Sequence, residues 1–147
     1  MPTTCLAGGR ALKLSAGLQL RDLRKNQMLR QKEPRAHDKH HLEFIRELPC
    51  LVCGNNIETQ AAHIRLSDAS IEKFNAGVGA KPDDKWTVPL CGSCHGKQHD
   101  MGDEEMFWKL VGINPLLVAR LLYAVSGDHE EGCKIVERAA LNILAAG

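Results

Sequence analysis

Two Cys-x-x-Cys pairs, Cys50-Leu-Val-Cys53 and Cys91-Gly-Ser-Cys94, constrain this chain more than any other feature. Each pair sets two thiols on one tight turn, and two such pairs supply the four sulfur ligands of a closed tetrahedral zinc site. Residues 54–90 lie between them, too many for a compact zinc finger but suited to two knuckles that enclose an insert. Four thiolates leave zinc no open position for water, so the expected ion is a structural staple. Aromatic residues make up only 4% of the chain, and a core short of large rings gains most from such a staple.

The same reading bears on location. The N-terminus carries Arg10 and Lys13 without an uninterrupted apolar stretch, unlike a secretory leader. No apolar run approaches the roughly 20 residues that span a bilayer. A cytoplasmic protein with no membrane partner is expected, in a compartment that keeps thiols reduced and favours metal over disulfides. Cys5 and Cys133 stand alone and read as ordinary thiols.

Charge is unevenly spread. The net charge is +1, yet residues 1–41 hold nine Lys or Arg against Asp22, Glu33 and Asp38. A basic arm on a more acidic body suits contact with a polyanion such as DNA, with Arg21, Arg24 and Lys25 as candidate phosphate contacts; a solvated tail has the same composition. Residues 1–14, with Gly8-Gly9, read as flexible, and 18–32 as a weakly amphipathic helix. Three segments follow: a basic arm over 1–37, partly helical or flexible, a core over 38–112, and a helical extension over 113–147.

The expected class is α+β, with helices at both ends of a small strand–strand–helix core. Asp38 caps a helix bearing Leu42, Ile45 and Leu48. Thr59–Arg65 reads as a strand delivering His63, residues 66–85 as a long ordered loop, and Trp86–Leu90 as a second strand with Pro89 at an edge or end. From Cys91 a helix places His95 and His99, four residues apart, on one face. Asp103 caps a helix expected to bury Met106, Phe107, Leu110 and Val111. Asn114-Pro115 opens another with Leu117, Leu121 and Val125 inward, and Asp128 with Glu131 begins the last. Its inward rows are Ile135, Ala139 and Ile143 beside Val136, Ala140 and Leu144.

His63, His95 and His99 admit three readings from the residues alone: a hydrolytic centre, surface histidines, or alternate ligands of the knuckle. The first is chemically self-sufficient, since imidazoles can hold a divalent ion and a neutral imidazole can take a proton from water near neutral pH.

The order Leu-Pro-Cys-Leu-Val-Cys-Gly, Ala-Ala-His-Ile-Arg, Val-Pro-Leu-Cys-Gly-Ser-Cys-His-Gly-Lys-Gln-His resembles the HNH nucleases of the ββα-metal superfamily. It is most similar to zinc-knuckle members of phages and prophages, including a recombination-enhancement nuclease group. Phe107-Trp108 and Gly112-Ile113-Asn114-Pro115 resemble that group too, so the likeness runs over residues 42–118. It implies a metal-dependent endonuclease acting on DNA, in phage recombination or DNA processing, with a recombination protein as a further partner. By position, His63 matches the general base and His95 the metal-binding histidine. His99 matches a second helix histidine that joins the metal site in some members. The implied catalytic ion is Mg²⁺ or another divalent cation beside the structural Zn²⁺, with Lys97 and Arg65 near phosphate. Two positions depart from the pattern. Ala62 stands where a metal-ligating Asp or His is usual, and Trp86-Thr87 where many members carry a base-orienting Asn. Asp83, Asp84 or Asp68 could supply the missing carboxylate. A catalytically degenerate zinc module that grips nucleic acid or a recombination protein is the alternative.

Overall fold

Asp38, Asp103, Asn114 and Asp128 each place a side-chain oxygen against backbone amides that a helix start would leave bare, a contact that stabilises by about 1 kcal/mol. Asp38 accepts from the His41 amide at 3.0 Å and Asp103 from Met106 at 3.0 Å. Asn114 accepts from Leu116 and Leu117 at 3.1 Å, and Asp128 from Glu131 at 3.1 Å. These caps begin four of the five α-helices in the computed structural model, which describes residues 34–74, 77 and 79–145. The helices are α1 (Lys39–Glu47), α2 (Gly92–Met101), α3 (Glu104–Val111), α4 (Pro115–Ala124) and α5 (His129–Ala145). The expectations for 1–14 and 18–32, and the candidate contacts Arg21, Arg24 and Lys25, lie outside the described residues. Residues 35–147 form one compact unit.

Two short strands, β1 (Thr59–His63) and β2 (Thr87–Cys91), pair antiparallel from Thr59 opposite Cys91 to His63 opposite Thr87. The expected α+β class is thus found, with strand ends shifted by one or two residues. Pro89 sits inside β2, opposite Ala61. Pro89 turns its carbonyl, and with it its nitrogen, away from β1, so the missing proline amide costs no ladder bond. The Pro89 carbonyl instead accepts from the Leu51 amide at 2.8 Å, which ties the first cysteine turn to β2. β2 runs without a break into α2, and α1, α4 and α2 all pack against the hairpin. Ile45, Leu48, Leu51, Ala62, Ile64, Val88 and Leu90 are wholly buried at this centre, joined by Ala119 and Leu122 of α4.

The helix faces differ from the sequence expectation. In α3 the buried side is Phe107 and Trp108, whereas Met106 and Leu110 are exposed. In α4 it is Leu116, Val118, Ala119 and Leu122, and Leu117 and Leu121 face outward. Val136 is buried in α5, with Ile135 and Ala139 partly so. Between the strands, Asp68 caps a short 3₁₀ turn (Ala69–Ile71) and bridges to Lys73. The Lys73 ammonium is buried against the Leu66 carbonyl, 5.8 Å from the Trp86 ring centre. Among the described residues no single helix is long and apolar enough to cross a membrane.

Candidate metal centre and histidine site

The first knuckle is a tight reversal. The Cys50 amide donates to the Asn55 carbonyl at 2.7 Å and the Gly54 amide to the Cys50 carbonyl at 2.8 Å. Gly54 takes φ of 71°, a left-handed conformation that a side chain would strain. The second pair bridges the end of β2 and the first turn of α2. The four sulfurs of Cys50, Cys53, Cys91 and Cys94 all lie within 4.8 Å of one another. The Cys53–Cys91 separation is 3.6 Å. A disulfide would need about 2.05 Å, while tetrahedral bonds of about 2.3 Å to one zinc ion place sulfurs roughly 3.8 Å apart. The quartet is therefore a four-thiol cluster able to bind a metal such as zinc. The Cys94 backbone amide draws the Cys91 thiol down to about 7, towards the thiolate a metal requires. Burial pushes the Cys94 thiol up.

On α2, His95 and His99 bring their Nε2 atoms to 3.1 Å. His95 Nδ1 lies 2.8 Å from the Gln60 side-chain oxygen on β1. That oxygen can only accept, so the ring proton sits on Nδ1 and the Nε2 lone pair faces His99. Burial first, then the neighbouring imidazoles of His99 and His63, hold His95 below the ordinary histidine range. Two nitrogens each about 2.1 Å from a common ion stand roughly 3.0–3.4 Å apart, so the pair has the spacing of a two-imidazole clasp. It is not a complete cage. Among the described residues, only the cysteine quartet gathers three or more His, Cys, Asp or Glu around one point.

His63 ends β1 on the side away from the core, whereas Ala62, its predecessor, is wholly buried among core side chains. A carboxylate at position 62 would point into the apolar interior, which accounts for the alanine. His63 Nε2 lies 2.9 Å from Asp84 Oδ1 and 2.8 Å from an Arg35 guanidinium nitrogen. Arg35 also forms an ion pair with the same carboxylate oxygen. The second oxygen accepts from the Asp38 amide at 2.9 Å. The Asp84 carbonyl accepts from the Thr87 hydroxyl at 2.8 Å. Burial opposes the Asp84 charge, but the bonds from His63, the Asp38 amide and Arg35 outweigh it and hold the carboxyl down at about 2. Burial, aided by Arg35 and Lys81, lowers His63, so the ring is neutral at neutral pH.

The remaining candidates divide. Asp83 accepts from the Ala36 amide at 2.9 Å and Asp68 from Ser70, so both serve as local caps. Lys97 is exposed on α2. Arg65 is exposed, and its amide donates to the Glu104 carboxylate at 3.1 and 3.2 Å. Two residues of the site escaped the sequence reading. The sequence marks Arg35 only as one basic residue of the N-terminal arm, and its partners lie 28 and 49 positions away. Gln60 had only its place on the strand before His63 to mark it.

The family model described as Protein of unknown function (DUF968) matches residues 22–126, most of the chain, and the chain belongs to that family. No curated protein and no solved structure matches it.

Proposed function

We propose that this DUF968 protein is a metal-dependent endonuclease of the HNH kind that hydrolyses DNA phosphodiester bonds. The observation carrying the reading is the convergence on one hairpin-and-helix unit of a neutral, partly buried histidine and a separate two-imidazole clasp. A phosphodiesterase needs these two parts apart: a base for the attacking water, and a cation beside the leaving oxygen. His63 takes the first role. Its ring is anchored to β1 and held neutral, ready to accept a proton. His95 and His99 take the second, with Gln60 fixing the tautomer of His95.

The donor set favours a particular ion. Imidazole nitrogens suit zinc, nickel, copper or iron better than Mg²⁺ or Mn²⁺, which prefer carboxylate, carbonyl and water oxygens. Both oxygens of Asp84 are engaged by Arg35, His63 and the Asp38 amide, and Asp83 accepts from the Ala36 amide. A cation there would stabilise charge on the phosphate and leaving group; the protein's part is to hold the two rings in register. The cysteine quartet, filled with zinc, would keep β2, α2 and the first knuckle together and so preserve the spacing of both groups.

Exposed Lys97 and Arg65, and the basic N-terminal arm, would meet the phosphate backbone in a sequence-independent, salt-sensitive way. A role in phage recombination with a protein partner belongs to the same reading and rests on the HNH resemblance alone.

The test is supercoiled plasmid incubated with purified protein and Mn²⁺, Ni²⁺, Zn²⁺ or Mg²⁺ in turn. The parent nicks the plasmid in the presence of an imidazole-preferring ion. His63→Ala keeps its fold and its tightly bound zinc but loses about 10²–10⁴-fold in rate. Absence of nicking by the parent with every ion would defeat the proposal and leave a nucleic-acid-binding zinc module.

A further inference from the structure

Asp84 lies in the connection between the strands, yet it is only 1% exposed and every polar atom of its side chain is engaged. Its backbone is held as firmly. The amide donates to the Ala36 carbonyl at 3.1 Å and the carbonyl accepts from buried Thr87, the residue paired with His63 across the hairpin. A carboxylate so fixed acts as a rigid acceptor presented to one atom of one ring.

The chemistry of the three touching groups determines where the ring proton sits. Carboxylate Oδ1 can only accept, the Arg35 guanidinium can only donate, and His63 Nε2 can do either. With the proton on Nε2, both Arg35 and His63 direct a hydrogen at Oδ1, whose two lone pairs accept them. With the proton on Nδ1, the Nε2 lone pair would accept from Arg35 at 2.8 Å but stand 2.9 Å from the carboxylate oxygen. The first arrangement sets two donors 2.8 Å apart, a conflict that Arg35, with 23% of its side chain exposed, relieves by turning. The second sets a lone pair against a carboxylate that is 1% exposed and held on its other oxygen, so the first is favoured.

We propose that Asp84 is the positioning residue of His63: it keeps the ring proton on Nε2, orients the ring, and leaves Nδ1 as the lone pair that receives a proton from water. Arg35 keeps the carboxylate in place between the ring and the Asp38 amide. What Nδ1 does rests on the hydrolase reading above; where the proton sits rests on the contacts of His63 with Asp84 and Arg35. The function that the HNH resemblance expects of an Asn at the start of the second strand is thus carried here by an aspartate three residues before Thr87. Asp84 acts behind the base, and its two engaged oxygens leave it no role as a cation ligand.

The experiment is long-range ¹H–¹⁵N correlation NMR on the full chain, labelled with ¹⁵N-histidine and loaded with zinc, at a pH where His63 is neutral. The parent is expected to show the protonated nitrogen at Nε2, with its proton far downfield and slow to exchange with water. In Asp84→Ala the guanidinium alone faces Nε2, so the pattern inverts and the proton moves to Nδ1. Plasmid nicking by this variant falls about 10²-fold in kcat with little change in KM. Asp84→Asn, which keeps the side-chain volume, guards against a folding failure: its Nε2–H resonance moves upfield or is lost to exchange. Arg35→Met keeps the Nε2–H tautomer. A parent spectrum with the proton on Nδ1, or an Nε2–H resonance indifferent to both Asp84 substitutions, overturns the inference. A parent that shows the expected tautomer but nicks no DNA overturns the hydrolase reading instead and leaves the Asp84 assignment standing.

Discussion

Gln60 on β1 holds His95 on α2 by a 2.8 Å hydrogen bond from ring Nδ1 to the amide oxygen, across 35 positions of sequence. Supporting contacts of this kind are worth about 10- to 100-fold in metal affinity when removed. Gln60→Ala is expected to weaken binding of Ni²⁺ or Zn²⁺ at the His95–His99 clasp by about tenfold or more, measured by calorimetry on protein whose cysteine site is already filled. Retained affinity would show that the pair does not act as a clasp. The exposed position of Gln60 keeps the cost to folding small.

The cysteine quartet makes a stability prediction of a different size. Cys94 is buried at the first turn of α2, and metal binding by such a site is inseparable from folding. Cys94→Ser should lower bound zinc from one equivalent to less, and reduce stability by several kcal/mol on the scale of lost metal sites. Metal analysis with thermal unfolding checks both. A strong chelator should reproduce the effect in the parent protein.

His41 gives a pH dependence independent of any metal. It is wholly buried, its Nδ1 is 2.9 Å from the Ser126 hydroxyl, and Tyr123 meets its ring edge-on. Burial lowers its pKa, against the opposing charges of Asp38 and Asp84. The folded state therefore binds the proton less readily than the unfolded chain. Its contribution to stability is complete above the unfolded value of about 6.5 and is lost as pH falls through the lower folded value. Thermal midpoints should drop on acidification below about pH 6.5. A His41→Gln variant should show a shallower drop over the same range.

Gly132 lies in α5 where the helix crosses α1. A methyl group on its Cα would stand 2.7 Å from the Phe44 ring and 2.8 Å from a Leu48 methyl. Alanine is worth roughly 1 kcal/mol over glycine inside a helix, but forcing apart two buried side chains costs about 1–3 kcal/mol. Gly132→Ala should therefore destabilise by about 1 kcal/mol in denaturant titration, against the propensity scale.

Local signals in the sequence are legible. Asp38, Asp103, Asn114-Pro115 and Asp128 announced helix starts because capping is settled within three or four residues. The cysteine pairs announced their own gathering. Helix faces were harder. In α4, Pro-Leu-Leu-Val-Ala-Arg-Leu-Leu-Tyr-Ala is apolar on nearly every side, so periodicity could not choose Leu116 and Leu122 over Leu117 and Leu121. The link from Asp84 to His63 was beyond reach for another reason. Asp83 and Asp84 are adjacent and chemically alike, and only the path of residues 35–38 over the strand connection separates a cap from a partner of the histidine.

The hairpin is held by the cysteine sulfurs at one end and by Asp84 at the other. Thr59 and Cys91 meet beside the sulfurs, whereas His63 and Thr87 face the connector from Ile64 to Trp86. Insertions or exchanges among the exposed residues 79–81 of that connector should leave the strand register undisturbed so long as Lys73 and Asp84 are kept. The loop is then the part of the molecule most free to diversify what is presented beside an unchanging centre.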